Sequence, residues 1–339
     1  MRPVLILTRA RVIAVAVVLA VVAVTLYFSQ NLWQSANAIR IAPHQALYQL
    51  TLTRLHQANN IADVRGQMSY RIEDACDGWN VAQKFDLQFV YTEASAALIT
   101  SDYNTYESKD GRHYQFSTRR MHDGQLTDEI LGKAERRDPL GNGVIDYQKP
   151  KVAQAVLPAD VLFPTQHTLA LLRAAAEGKT WFHQPLFDGS DLSLATDVSA
   201  FIGHANKPYV VKIEEIVPIQ KLDADDGDDS AAAETPPTIK PMTAAELNAN
   251  PLIADTRAWR LRMAFYPRAD AIPAEDKDKS DAAADIDPED DPANAITPDY
   301  EMTMVLHSNG VVSSMTLDYP DFSLDARLLS IAEVARNSC

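Results

Sequence analysis

Hydrophobic residues recur at every second position in many segments of this chain, a pattern typical of β-strands with one buried face. Clear examples begin at Tyr48, Met68, Phe85, Met302 and Val311. Because such segments follow one another along the chain, the pattern predicts one large, mostly β domain built from many antiparallel strands. The predicted domain covers residues 39–339.

Tight turns are expected where Asn-Gly or Asp-Gly stands between two strand-like segments, because these dipeptides favour two-residue hairpin loops. The chain has three candidates, at Asp110-Gly111, Asp188-Gly189 and Asn309-Gly310. Each is predicted to mark a hairpin between neighbouring strands.

Three segments have a helical pattern instead, at residues 165–177, 243–249 and 326–335. The first follows a proline and ends before Gly178, which is the usual arrangement at the two ends of a helix. Its apolar stripe is expected to consist of Leu169, Leu172 and Ala176. The last helix is predicted from a run of leucine, isoleucine and alanine close to the C-terminus.

Residues 1–38 have the pattern of a secretory signal peptide. Three arginines precede an apolar run of 17 residues at 12–28, and small residues follow up to Ala38, after which cleavage is expected. An uncleaved membrane anchor is the alternative. Both interpretations place residues 39–339 outside the cytoplasm.

The chain has two cysteines, Cys76 and the final residue, Cys339. In an exported protein, two cysteines without a CxxC motif favour a structural disulfide over a metal site or a redox centre. Two free thiols are the alternative. A disulfide would attach the C-terminal residue to the first part of the domain.

The net charge of −15 is concentrated in two acidic tracts, at about 223–240 and 270–299. Without residues 223–234 and 270–299, the chain carries 29 acidic and 29 basic residues. Tracts rich in Asp, Ala, Pro and Ser cannot bury apolar surface, so they are predicted to be disordered insertions. Their acidity argues against nucleic acid or anionic lipid head groups as partners.

Catalytic motifs are not evident. The chain has no GxSxG or SxxK motif, and its eight histidines form no HxH or HExxH pair, so no enzyme activity, metal or cofactor is predicted. His167 is a candidate general base, but a hydrogen bond to nearby backbone is expected instead. Trp79, Trp181 and Trp259 are expected to lie in the core or to line a cavity rather than to form a platform for sugars.

Several short segments, in this order, resemble the EipB-like cell-envelope integrity proteins, a periplasmic family of Gram-negative bacteria. The segments that carry the resemblance are Cys76-Asp77-Gly78-Trp79, Tyr106-Glu107-Ser108-Lys109-Asp110-Gly111, Leu162-Phe163-Pro164-Thr165-Gln166-His167, Phe187-Asp188-Gly189, Trp259-Arg260-Leu261, Asp318-Tyr319-Pro320-Asp321-Phe322 and the final Cys339. The resemblance covers roughly residues 44–339.

The resemblance implies an open, spiral β-barrel with a helix packed inside or against it, and one disulfide between Cys76 and Cys339. It also implies a role in envelope integrity without enzymatic activity, and a periplasmic tetratricopeptide-repeat protein as a partner. The chain departs from the family pattern at Thr105, where a tryptophan is expected, and in the two acidic insertions.

Two functions are therefore expected: a protein-interaction scaffold of the periplasm, or a carrier or sensor that holds a lipid or lipoprotein acyl chain in the barrel. A periplasmic hydrolase using His167 is a remote third. The residues expected to line a ligand site or the helix contact are Trp79, Phe163, His167, Leu169, Leu172 and Trp259.

Overall fold

A computed structural model describes residues 39–56, 60–138, 141–192, 195–205, 241–254, 256–268, 297–335 and 339. The predicted signal peptide lies outside these ranges, as do both predicted acidic insertions apart from residues 297–299. Within the described ranges, no helix has the length and apolar character needed to cross a membrane.

Fourteen strands in the described part of the chain form a single antiparallel sheet. They are β1 (His44–Leu55), β2 (Ile61–Asp74), β3 (Gly78–Tyr91), β4 (Ala97–Ser108), β5 (His113–His122), β6 (Gln125–Arg136), β7 (Gly143–Lys149), β8 (Ala155–Leu157), β9 (Trp181–Leu186), β10 (Thr196–His204), β11 (Ala258–Pro267), β12 (Tyr300–His307), β13 (Val312–Asp318) and β14 (Phe322–Glu333). This confirms the mostly β fold.

The sheet consists of two meanders that are joined by the pairing of β1 with β14. Strands β1–β8 pair in chain order, β9–β14 do the same, and β1 pairs with β14 so that Tyr48 lies opposite Leu328. Strands β8 and β9 are the two edges of the described sheet, which therefore does not close. This confirms an open arrangement of antiparallel strands.

The first predicted helix is present as α1 (Pro164–Ala176) and connects the two edge strands. Its buried residues include Leu171, Leu172, Ala174 and Ala175, whereas Leu169 and Ala176 are only partly buried. The expected apolar stripe was therefore correct for Leu172 and wrong for Leu169 and Ala176, because the buried face of α1 also contains Leu171, Ala174 and Ala175.

The short predicted helix at 243–249 is confirmed as α2 (Ala244–Ala249), and α3 (Pro251–Ala254) follows it. The Thr243 side chain accepts a hydrogen bond from the Glu246 N–H, and the Glu246 carboxylate accepts one from the Thr243 N–H. This reciprocal capping box fixes where the helix begins.

The helix predicted at 326–335 was wrong, because residues up to Glu333 belong to β14. Leu328 and Leu329 are both buried, although neighbouring residues of a strand point to opposite faces. Beyond Arg327, β14 no longer pairs with β13. There the Met242 N–H and the Asn250 side chain donate to the carbonyls of Leu329 and Ile331, so the segment that contains α2 and α3 covers this end of the strand.

Two of the three predicted turns are confirmed. Asp110-Gly111 connects β4 to β5, and Asn309-Gly310 connects β12 to β13. Asp188-Gly189 does not form a tight hairpin but begins the longer connection, residues 187–195, between the paired strands β9 and β10.

Two clusters of buried side chains can be described in the residues that the structure covers. One joins β1, β2, β13 and β14 with Leu247 and Ile253 from the two short helices. The other joins β5, β6 and β7 with Phe163 and Phe187, which flank α1 and β9. A cavity lies along the inner face of the sheet beside α1.

A disulfide joins Cys76, in the turn between β2 and β3, to Cys339, with a Cα–Cα distance of 5.8 Å. The bond links residues 263 positions apart. It ties the C-terminal residue to the β1–β8 meander, as the sequence predicted.

Candidate functional site

The interior cavity has a volume of about 570 Å³ and is open to solvent on one side. This size lies within the range of protein clefts that hold small ligands, about 300–1,000 Å³. Inward-facing residues of eight strands form its wall, and the first turn of α1 forms part of one side.

One part of the cavity wall is apolar and rich in methionine. Met263, Met302, Met304 and Met315 project from β11, β12 and β13, and Leu317 lies beside them. Methionine side chains are unbranched and polarisable, so they adapt to apolar ligands of different shape. This part of the wall can accommodate a hydrocarbon chain without leaving polar groups unpaired.

A row of aromatic rings crosses the strands beside the methionines. Phe265 stacks on Tyr300 at a centroid distance of 4.2 Å, Tyr300 lies 5.7 Å from Tyr319, and Tyr319 lies 5.2 Å from Phe322. Phe265, Tyr300 and Tyr319 line the cavity. The row thus offers ring surface to a bound molecule over three neighbouring chain segments.

Another part of the wall is polar. The hydroxyls of Tyr103 and Tyr114 lie 2.7 Å apart, and both donate to the carbonyl oxygen of Asp188. Burial raises the pKa of both tyrosines well above the usual value. They therefore remain neutral donors and hold the 187–190 segment against β4 and β5.

Arg120 and Asp188 are the charged side chains of this polar wall. The Arg120 guanidinium donates to the Asp128 carboxylate at 2.6 Å and to the Ser190 carbonyl at 2.7 Å. The Asp188 carboxylate accepts a hydrogen bond of 2.8 Å from the Ser190 N–H. Burial raises the pKa of Asp188, and the hydrogen bonds from Ser190 oppose this shift.

Helix α1 is attached to the sheet by Glu107 of β4. Phe163 at the N-cap of the helix provides no side-chain cap. Instead the two Glu107 oxygens accept hydrogen bonds from the N–H groups of Thr165, at 2.6 Å, and Gln166, at 2.8 Å. A carboxylate at this position satisfies free backbone donors and complements the helix dipole.

Glu107 is 2 % exposed, and its burial raises the pKa to about 7, while the hydrogen bonds from Thr165 and Gln166 oppose the shift. Its protonation state therefore changes near neutral pH. The carboxyl that holds the first turn of α1 against the cavity is a titrating group.

His167 lies on the same helix and lines the cavity. Its Nε2 lies 3.2 Å from the carbonyl oxygen of Gln184, and its ring meets Phe182 edge-on at 5.3 Å. Burial lowers the pKa to about 4, so the imidazole is neutral. This is the hydrogen bond to nearby backbone that the sequence suggested.

The other candidate lining residues do not contact this cavity. Phe163 stacks on Tyr114 at 4.8 Å within the second core cluster, and Leu172 is fully buried on α1. Trp259 is buried in β11. Trp79 is partly exposed beneath the Lys109 ammonium, which lies 5.0 Å from the ring centroid.

Sequence reasoning missed most of the cavity wall. Met302 and Met304 were recognised only as alternating strand residues, and Asp188 only as part of a turn. Thr105, the position where a tryptophan was expected, lines the cavity. A threonine there leaves open space that a tryptophan ring would occupy. In the described residues no cluster of three or more His, Cys, Asp or Glu could hold a metal ion.

The open antiparallel sheet, with a helix that connects its two edge strands and a cavity lined by its residues, defines a β-barrel-like protein. The family model for EipB-like proteins matches residues 35–226 and 289–335, so the chain belongs to the EipB-like family.

A curated relative is the cell envelope integrity protein EipB of Brucella abortus (strain 2308), which is 24% identical over 299 residues, covering 88% of this chain and 86% of the relative. A similar solved structure is a β-barrel-like protein of a domain of unknown function from Brucella abortus. Its TM-score is 0.63 at 23% identity, with 88% of this chain and 100% of that chain covered, and it supports the fold.

Proposed function

We propose that this protein is a non-enzymatic component of the cell envelope that holds the acyl chain of a lipid or lipoprotein in its interior cavity and so contributes to envelope integrity. The envelope role rests on membership of the EipB-like family and on the name of the Brucella relative. A periplasmic location is consistent with the disulfide, since such bonds persist in oxidising compartments.

The methionine-rich part of the cavity is the observation that carries the proposal. A wall of Met263, Met302, Met304, Met315 and Leu317 inside a cavity of about 570 Å³ provides apolar surface in a concave site. Burying a hydrocarbon chain there is favourable by about 0.8 kcal/mol per methylene group. A carrier function therefore explains this apolar cavity wall, whereas a scaffold with a filled core would not need it.

The geometry gives little support to the hydrolase alternative. His167 is neutral and its hydrogen-bond partner is a backbone carbonyl, so it is not oriented by a carboxylate as a general base usually is.

A scaffold function has support of its own on the outer surface. Trp181 of β9 was expected to lie in the core or in a cavity wall but is 47% exposed. Phe201 of β10 is 64% exposed, and the two rings lie 4.8 Å apart. Exposed aromatic pairs are typical of sites where a partner protein docks. We propose that a tetratricopeptide-repeat protein of the periplasm is such a partner.

The carrier function is tested by native mass spectrometry of the protein isolated from a periplasmic extract without detergent. A lipid-sized mass that is lost on denaturation supports the proposal. In parallel, displacement of the neutral fluorophore N-phenyl-1-naphthylamine by dodecanol measures binding to the purified protein.

Met304→Trp fills the apolar part of the cavity and should weaken dodecanol binding by at least about tenfold. Thr303→Trp is the matched control, since Thr303 is the neighbouring residue of β12 and does not line the cavity. If both variants bind as the parent does, or if the parent binds nothing, the cavity is not the ligand site. A partner captured only when Trp181 and Phe201 are intact would favour the scaffold.

A further inference from the structure

The cavity has an uneven distribution of charge that bears on its ligand. We propose that the cavity selects amphiphiles whose polar group is a cation, such as an ammonium, and that Asp188 and the ring of Tyr300 hold this group. The proposal rests on the carrier function and adds the chemistry of the head group.

Asp188 is the first part of the argument. Among the described residues no Lys, Arg or His nitrogen lies within 4.0 Å of its carboxylate, and the hydrogen bond that fixes it comes from the neutral Ser190 N–H. Part of the side chain remains accessible, and that surface lines the cavity. A carboxylate in such a place is stabilised by a ligand that brings a positive charge or strong donors.

The positive charge of Arg120 does not reverse the preference of this end of the cavity for a cationic head group. Its guanidinium already contacts the Asp128 carboxylate at 2.6 Å and the Ser190 carbonyl at 2.7 Å. The positive charge of Arg120 lowers the pKa of Asp188, but the negative charge of Asp191 raises it by more. Since His167 is neutral, an anionic head group at this end of the cavity would meet more negative than positive charge.

Tyr300 provides the second contact for a cation. Tyr300 lines the same cavity as Asp188. Burial raises the pKa of Tyr300, and the negative charge of Asp188 raises it further. Tyr300 stacks on Phe265 and lies beside Tyr319 within the aromatic row. A cation near a carboxylate and over an aromatic ring gains from both, through an ion pair and a cation–π contact.

The remainder of such a ligand has a suitable surface next to this end. The methionines of β11, β12 and β13 line the same cavity as Asp188 and Tyr300. An amphiphile would therefore place its hydrocarbon chain along the methionines and its head group between Asp188 and the aromatic row.

The test uses three probes with the same hydrocarbon chain: dodecylammonium, dodecanol and laurate. Each competes with N-phenyl-1-naphthylamine on the purified full chain at neutral pH, below its micelle concentration. We expect dodecylammonium to bind at least about tenfold more tightly than laurate, with dodecanol in between, because a hydrogen bond between charged groups strengthens binding by about this factor.

Asp188→Asn keeps an oxygen for the Ser190 N–H and should remove most of the difference in affinity between dodecylammonium and laurate. Asp63→Asn, a partly buried position of β2 outside the cavity wall, is the matched control. Tyr300→Leu should weaken dodecylammonium more than dodecanol, whereas Tyr300→Phe should retain the ring contact. Thermal unfolding of each variant shows that it folds.

The outcomes separate the two proposals. If the parent binds all three probes equally, the head-group inference is overturned and the carrier function stands. If the parent prefers dodecylammonium and Asp188→Asn keeps that preference, Asp188 is not the anchor. If no probe binds, the carrier function and this inference fail together.

Discussion

Glu107→Gln is the most informative single change in the sheet, because Glu107 is both the cap of α1 and a buried titrating group. In the parent, its two oxygens accept hydrogen bonds from the Thr165 and Gln166 N–H groups. In the variant, one amide oxygen can accept one of them, while the amide NH₂ faces the other donor. At pH 5, Glu107 is protonated in the folded parent, and its hydroxyl oxygen can still accept the second hydrogen bond. We therefore expect the variant to lose about 1–3 kcal/mol of stability at this pH for the donor left unpaired.

The pH dependence of this difference follows from the pKa of Glu107. Folding raises it from 4.5 to about 7, so between these values the folded state binds a proton that the unfolded state does not. The contribution of Glu107 to stability is therefore fully present below pH 4.5 and decreases as the pH rises through 7. A shift of this size corresponds to about 3 kcal/mol.

Urea unfolding at pH 5 and pH 8, followed by circular dichroism, measures the effect on the free energy of unfolding. The advantage of the parent over Glu107→Gln should shrink by about 2–3 kcal/mol from pH 5 to pH 8, because glutamine does not titrate. Glu135→Gln on the exposed surface of β6 is the control and should leave the pH dependence of the parent unchanged. Parallel pH profiles for the parent and Glu107→Gln would refute the reasoning.

Two further predictions concern the rest of the fold. Cys339→Ser opens a loop that spans 263 residues and should lower the free energy of unfolding by about 3–5 kcal/mol, measured by denaturant unfolding without reductant; unchanged stability would mean that the bond is idle. Gly189→Ala should cost about 2 kcal/mol or more, because φ is +70° and a Cβ there would overlap the Phe116 ring. Gly124→Ala is its control, with φ +76° and no atom within 4 Å of a Cβ, so equal losses would show that backbone strain alone is responsible.

The strands could be predicted from the sequence because one face of each is buried and the other is not. Met302 and Met304 are separated by the polar Thr303, and Asn309-Gly310 marks the turn that follows. The prediction failed at β14, where Leu328 and Leu329 are buried on opposite faces. Periodicity cannot distinguish a strand covered on both faces from a buried helix.

The site was harder to predict because it depends on which strands face each other across the sheet. Asp188 and Tyr300 are 112 positions apart in the sequence, and no local pattern indicates that they line one cavity. The cap of α1 could not be predicted for the same reason. It comes from Glu107 of β4, whereas sequence analysis looks for a capping residue next to the first turn of the helix.

The pairing of β1 with β14 has a consequence for how the chain assembles. Every other pairing between named strands joins strands that are neighbours along the sequence, so each meander can form through local contacts, which are fast. Aligning β1 with β14 instead requires the two ends of the domain to meet, with a high entropic cost of loop closure. The pairing of β1 with β14 should therefore be the slow step of folding. Once it has formed, the disulfide between Cys76 and Cys339 opposes separation of the two strands.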